Sequence, residues 1–206
     1  EIKGPGDFSS AAYLITCALL CPGSEVEILS VGINETRTGF LDIAKRMGGD
    51  VEVFAVRGEH WEPVADIWVR HSDLKSVRIS PVDVVRAIDE IPLVALLACA
   101  ADGTTVISGA EELRVKESDR IAGTVAGLRR LGARIMETED GMIIEGPSPL
   151  KGGTVSAAGD HRLAMLLACA GLVASGKTAV LGWEWTEISF PGFLDAVTRL
   201  GGAAAV

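Results

Sequence analysis

Three stretches of the chain are apolar on nearly every face: "SSAAYLITCALL" from Ser9, "IPLVALLACA" from Ile91 and "HRLAMLLACAGLVA" from His161. A helix that is hydrophobic all round is a buried helix. Each is followed by a Gly-containing turn and a short run rich in β-branched residues: "EVEILSVG", "GTTVISGA" and "KTAVLGW". These runs read as strands. A second helical pattern then appears, amphipathic this time: "GFLDIAKRMGG" from Gly39, "GTVAGLRRLGA" from Gly123 and "GFLDAVTRLGG" from Gly192. In each copy a second Gly follows nine residues later, at Gly48, Gly132 and Gly201. Basic side chains just before a terminal Gly are the signature of a helix C-terminus. Strands follow the first two copies, in "DVEVFAVRG" and "ARIMETEDGMIIEG", the latter with a hairpin turn at "EDG". The third copy stops at "AAAV".

Matched segments at a fixed spacing are an internal repeat, and the repeat decides the fold. One more strand precedes a buried helix in "SVRISP" and in "GGTVSA". The chain therefore predicts an α/β (α+β) fold of three βαβαββ-type units, roughly 1–75, 76–150 and 151–206. Together they form a single domain, 1–206, related by pseudo-threefold repetition. The buried helices would meet at the centre, with the sheets outside.

Composition narrows the function classes. A chain of 206 residues can bury a sizeable core, and 48% hydrophobic with 23% charged residues excludes a disordered chain. Aromatics are only 5% and Gly numbers 24, so the core is built from Ala, Leu, Val and Ile. A net charge of −9 argues against nucleic-acid binding, which needs a basic face. It leaves open a small anionic ligand, for which a few local Arg and Lys suffice. No stretch reaches the roughly 20 apolar residues of a membrane span, and there is no signal-peptide pattern. Cys17, Cys21, Cys99 and Cys169 all sit in apolar runs and read as small core residues in a reducing, cytoplasmic compartment. The opening residue is Glu1, not Met, which reads as a processed or excised piece.

The charge that breaks the repeat falls at the helix starts. Asp89 stands at the start of the second buried helix, and Asp160, His161 and Arg162 at the start of the third. Lys116, Glu117 and Arg120 lie at the start of the second unit's amphipathic helix, spaced to share a face. Helix N-termini gathered at one end of a domain attract anions. The bland reading of the same residues is capping and surface ion pairing. Arg37, in "NETRTG", reads first as a local ion pair or a residue shaping the site rim, and His60 and His71 as structural. No metal-ligand spacing, phosphate loop or Ser-His-Asp arrangement is present.

At "LRVKESDRI" and "GDHRLAM" the sequence resembles the enolpyruvyl transferases, and within them the EPSP synthase (3-phosphoshikimate 1-carboxyvinyltransferase) family. "GPGDFSSAAYLI", "NETRTGFLDI", "IDEIPLVALLACAADGTT" and "SFPGF" match in the same order, so the resemblance covers nearly the whole chain. It implies one domain of a two-domain fold, an inside-out α/β barrel with helix N-termini facing the cleft between domains. It implies transfer of the enolpyruvyl group from phosphoenolpyruvate to the 5-hydroxyl of shikimate 3-phosphate, with no metal or organic cofactor. By position, Asp89 matches the carboxylate that contacts the attacking hydroxyl, Lys116 a Lys near both substrates, and Glu117 the acid that protonates the enolpyruvyl methylene. Arg120 and Arg162 match the pair gripping phosphoenolpyruvate, with His161 beside them. Ile188 stands where some relatives have a Lys. The implied partners are the two substrates and the missing second domain, in a monomeric enzyme that acts on neither nucleic acid nor membrane. The fragment alone is expected to be inactive. Two other readings stay open: a UDP-N-acetylglucosamine enolpyruvyl transferase, whose members usually lack the "KESDR"/"DHRLAM" pair, and a stand-alone, non-catalytic anion-binding domain of the same fold.

Overall fold

The computed structural model describes residues 4–58 and 62–204, so the expectation for His60 falls outside the described residues. The element order repeats. The first run is α1 (Phe8–Leu20), β1 (Glu25–Gly32), α2 (Gly39–Arg46), β2 (Asp50–Arg57) and β3 (Val64–Arg70). The second is β4 (Arg78–Ile79), α3 (Pro81–Ala87), α4 (Ile91–Ala100), β5 (Gly103–Ile107), α5 (Arg120–Arg130), β6 (Arg134–Thr138) and β7 (Gly141–Gly146). The third is β8 (Thr154–Ser156), α6 (His161–Val173), β9 (Ala179–Leu181) and α7 (Phe193–Arg199). Short 3-10 helices occupy Ile88–Glu90, Glu111–Val115 and Trp183–Ile188.

The first two sheets share one topology, and the third has two strands. The order is β1-β3-β2 in the first and β4-β5-β7-β6 in the second, with β8-β9 in the third. The strand before each buried helix pairs parallel with the strand after it: β4 with β5 and β8 with β9. In the first sheet, among the described residues, this pairing is a single parallel bridge, Gly6 to Val31. The later strands pair antiparallel, β1 with β3 and β5 with β7.

The three apolar helices α1, α4 and α6 pack against one another. All but one residue of α4 is buried, in keeping with its lack of a polar face. The residues that fill this centre are small or branched aliphatics, among them Ile15, Leu19, Val94, Leu97 and Leu166. Apolar area buried on this scale stabilises by about 25 cal/mol per Å2 and gives the fold its driving force. Of the cysteines, Cys99 and Cys169 lie in this core, whereas Cys17 and Cys21 are only half-buried. Helix α1 ends at Cys21, so that residue sits at the domain's margin rather than on a fully packed face.

The repeated glycines act as the pattern predicts at one end and differ at the other. Gly48, Gly132 and Gly201 all take the left-handed conformation, with φ of 90°, 99° and 93°. Only Gly adopts this φ without a steric cost. At the front, α2 begins at Gly39 and α7 just after Gly192, but α5 begins three residues before Gly123. The added turn is "RIA", and its first residue is Arg120.

Candidate active site

Four segments meet at the N-terminal ends of α4, α5 and α6. Helix α6 is capped by Asp160, whose Oδ1 accepts from the backbone N–H groups of Arg162 (2.8 Å) and Leu163 (3.3 Å). Helix α5 is capped by Asp119, which accepts from the Ala122 N–H at 2.9 Å. Capping by a short acidic side chain satisfies N–H groups that the helix itself leaves unpaired.

Asp89 departs from the expected cap. It lies in the one-turn 3-10 helix Ile88–Glu90, and Glu90 occupies the N-cap position of α4 without a side-chain bond to the helix. The Asp89 carboxylate faces guanidinium groups instead. Its Oδ1 is 3.4 Å from Arg120 Nη1, and its Oδ2 is 3.1 Å from Arg162 Nη2 and 3.5 Å from Arg37 Nη2. The two longer contacts are loose by the standard of charge-assisted hydrogen bonds, which close to 2.7–2.9 Å.

Arg120 is the largest fully buried side chain among the described residues, at 1% exposure. A buried guanidinium persists only when paired and hydrogen-bonded. Arg120 is both: Nε donates to Asp160 Oδ2 at 2.8 Å, and Nη2 to Glu117 Oε2 at 2.5 Å. Asp160 is itself fully buried and also accepts from the Ser118 hydroxyl at 2.9 Å. Burial alone would raise its carboxyl, but Arg120 and Ser118 outweigh burial and hold it below the usual carboxylate range. Arg162 is mostly buried and also lies against the hydroxyl of the buried Tyr13. His161, the first residue of α6, is lowered from the ordinary imidazole value by burial and by the neighbouring Arg162.

Lys116, Glu117 and Arg120 do not share a helix face. Lys116 closes the 3-10 helix Glu111–Val115, and α5 starts only after the extended Asp119. The Lys116 ammonium pairs with Glu112, one turn back, rather than with the Asp89 cluster. Glu117 reaches Arg120 from a bend and stays half-exposed, at 54%, on the open side of the site. Arg114 and Asp119 are structural partners: they pair at 2.8 Å, and Arg114 donates to the carbonyls of Thr138 and Glu139 in the β6–β7 hairpin.

On the other side of the cluster lies Arg37, read from the sequence as a local ion pair or a rim residue, with two residues that sequence reasoning missed, Ser9 and Glu90. Arg37 donates to the Ser9 hydroxyl at 3.0 Å, and Ser9 donates to Glu90 Oε1 at 2.5 Å. Glu90 is 1% exposed, and burial raises its carboxyl, with Ser9 and Arg162 pulling the other way. Both Ser9 and Glu90 stand at helix starts, where a polar residue reads as a cap, so no local signal marked them. Ile188 is exposed at the end of the 3-10 helix Trp183–Ile188. Among the described residues no group of three or more His, Cys, Asp or Glu side chains is placed to hold a metal ion. The site is thus three guanidiniums, those of Arg37, Arg120 and Arg162, around the Asp89 carboxylate at the meeting of three helix N-termini, an arrangement suited to an anionic ligand.

Comparison with known proteins gives this geometry a family. The model of the family described as EPSP synthase (3-phosphoshikimate 1-carboxyvinyltransferase) matches residues 1–197. The 3-phosphoshikimate 1-carboxyvinyltransferase of Geobacter sulfurreducens is 54% identical over 200 residues, 97% of this chain and 47% of its own length. That of Geobacter sp. strain M21 is 51% identical over 195 residues, 95% of this chain and 46% of its own. A 2.37 Å structure of EPSP synthase from Acinetobacter baumannii superposes with a TM-score of 0.91 at 42% identity, over 95% of this chain and 46% of that one. The enolpyruvyl transferase NikO from Streptomyces tendae shares the fold, with a TM-score of 0.75 at 21% identity over 95% of this chain and 43% of that one. The chain spans about half the length of these relatives, and it belongs to the EPSP synthase (3-phosphoshikimate 1-carboxyvinyltransferase) family.

Proposed function

We propose that residues 1–206 form one domain, of units roughly 1–75, 76–150 and 151–206, and carry half of an enolpyruvyl transferase active site. The reaction is transfer of the enolpyruvyl group from phosphoenolpyruvate to the 5-hydroxyl of shikimate 3-phosphate. The observation that carries this reading is the placement of Arg120 and Arg162 on Asp89, at the open face where helix starts converge.

The chemistry needs a proton donor at carbon and an acceptor at the hydroxyl. The substrate oxygen adds to C2 of the enol while C3 takes a proton, giving a tetrahedral adduct. Loss of phosphate and of a methyl proton then restores the enol. In this reading Glu117 supplies the proton to C3, Asp89 accepts the hydroxyl proton, and Lys116 leaves Glu112 to approach both substrates. Arg120 and Arg162 hold the phosphate and carboxylate as charge develops, with His161 beside them. Buried anchoring of Arg120 by Asp160 supports its role as a preorganised grip. The substrates and the complementary domain are its partners, the compartment is the cytoplasm, and the full-length enzyme acts as a monomer.

The test is phosphate release by the full-length protein that carries this chain. With phosphoenolpyruvate and shikimate 3-phosphate together, turnover is expected, and Asp89→Asn lowers kcat by orders of magnitude. Turnover with UDP-N-acetylglucosamine in place of shikimate 3-phosphate, or none with either acceptor, sinks the reading.

A further inference from the structure

Asp89 receives one guanidinium from each of the three repeated runs: Arg37 before α2, Arg120 at the start of α5 and Arg162 at the start of α6. The family resemblance marks only the last two. Arg37 and Arg120 come from neighbouring places in the repeat, two residues before Gly39 and three before Gly123. Two elements of different runs therefore deliver the same group to the same carboxylate.

The loop that carries Arg37 is held on both sides. The Asn34 side chain accepts from the Thr36 N–H at 3.0 Å, closing a tight turn. From α3, Arg86 donates twice to the Glu35 carbonyl, at 2.9 and 3.1 Å, while pairing with Asp42 at 2.7 Å. Gly39 sits so close to α3 that a Cβ there would lie 2.7–2.9 Å from Arg86. The guanidinium itself is steered by Ser9, which is fixed in turn by the buried Glu90 carboxylate, 4.0 Å from Arg37 Nη2. A buried carboxylate is retained only when paired and hydrogen-bonded, and Ser9, Arg37 and Arg162 are the groups that face Glu90.

The bond pattern leaves Arg37 equipped for a ligand. A guanidinium carries five N–H donors, and the contacts above all use Nη2. Its side chain is 48% exposed, against 1% for Arg120 and 16% for Arg162. Its 3.5 Å approach to Asp89 is loose enough to be exchanged for a shorter bond to an anion.

We propose that Arg37 is a third anion-gripping residue of this site, contacting a phosphate or carboxylate oxygen of phosphoenolpyruvate, and that Ser9 and Glu90 form the pair that positions it. This deepens the enolpyruvyl transferase reading and rests on it for the identity of the anion. The experiment is a titration of the 206-residue chain with phosphoenolpyruvate, and separately with inorganic phosphate, followed by the backbone amide shifts of residues 120–122 and 161–163. Arg37→Gln is expected to weaken phosphoenolpyruvate by about tenfold or more, the weight of one charge-assisted hydrogen bond. Arg37→Lys, which keeps the charge without the fork, should lose less, and Ser9→Ala should fall between wild type and Arg37→Gln. A Kd for Arg37→Gln within twofold of wild type overturns the proposal, as does a wild-type chain whose amides show no saturable shift. Absence of turnover in the full-length protein, with anion binding and its Arg37 dependence intact, would instead remove the assigned reaction and leave the third grip standing.

Discussion

At the scale of single residues the site is governed by which charges are buried. Asp160 is fully buried and holds Arg120, so it is the member whose loss is felt most in stability. Breaking a buried ion pair by removing one partner costs about 3–5 kcal/mol. Asp160→Asn should fall near the low end, about 3 kcal/mol in urea unfolding at pH 7, because Glu117 and Asp89 still face Arg120. The Asp160 carboxyl is depressed in the folded state, so its contribution is complete above the ordinary Asp value. It is lost as pH falls through the lower folded value, and the gap between variant and wild type should close there. Glu90 has the opposite sign. Its raised carboxyl binds a proton more readily folded than unfolded, so stability falls as pH rises from the ordinary Glu value through the folded one. Glu90→Gln should remove that slope, and its unfolding midpoint relative to wild type should rise from pH 4 to pH 7. Unchanged relative midpoints across that range would show that the Glu90 carboxyl is not raised by folding. Catalysis makes a separate demand. Glu117→Gln in the full-length enzyme should lower kcat by orders of magnitude with little change in KM, and a near-normal kcat would take Glu117 out of the acid role.

At the scale of elements the repeat explains both what the sequence reveals and what it hides. The buried helices, the strand pairs and the terminal glycines were legible because each follows from a periodicity or a local φ requirement. Gly48, Gly132 and Gly201 each carry the left-handed φ that their place after a helix predicts. Element starts were harder to read. The position of Asp89 suggested a cap, but its partners are guanidiniums from three distant segments, and long-range ion pairing has no local signature. The same limit concealed Ser9 and Glu90, eighty-one residues apart in sequence and joined by one hydrogen bond. The departure of α5 from its sister helices, three residues longer at the front, was visible only as a run of charge. Gly39 tests how tightly the first unit fixes its site loop. A Cβ there would meet Arg86 backbone and Cβ atoms at 2.7–2.9 Å, which a rotamer change does not relieve. Gly39→Ala should therefore destabilise by about 1–3 kcal/mol, the usual cost of overpacking, measured as a lower urea midpoint. It should also disturb Arg37, two residues away, and weaken phosphoenolpyruvate binding. A variant as stable as wild type would show that α2 and α3 part easily.

At the scale of the whole molecule, folding and function make different demands on the same chain. The core is closed within it: α1, α4 and α6 pack on one another, and the first two sheets bring their own antiparallel strands. With that core packed within the described residues, the 206-residue chain should unfold in urea in one cooperative transition. The site is a different matter. Glu117 is half-exposed and Arg37 nearly so, and their open side faces away from the core. On the proposed reading, acid–base chemistry on phosphoenolpyruvate needs water excluded and both substrates held within reach of the same groups, which one wall does not provide. The chain alone should therefore bind anions and release no measurable phosphate from phosphoenolpyruvate and shikimate 3-phosphate. Mixing it with the complementary half of a relative such as the Geobacter sulfurreducens protein, of which it matches 47%, should restore turnover in proportion to the complex formed. Phosphate release by the isolated chain at a rate comparable to the reconstituted pair would show that the single wall is sufficient, and would move the reaction wholly onto Asp89, Lys116, Glu117, Arg120 and Arg162.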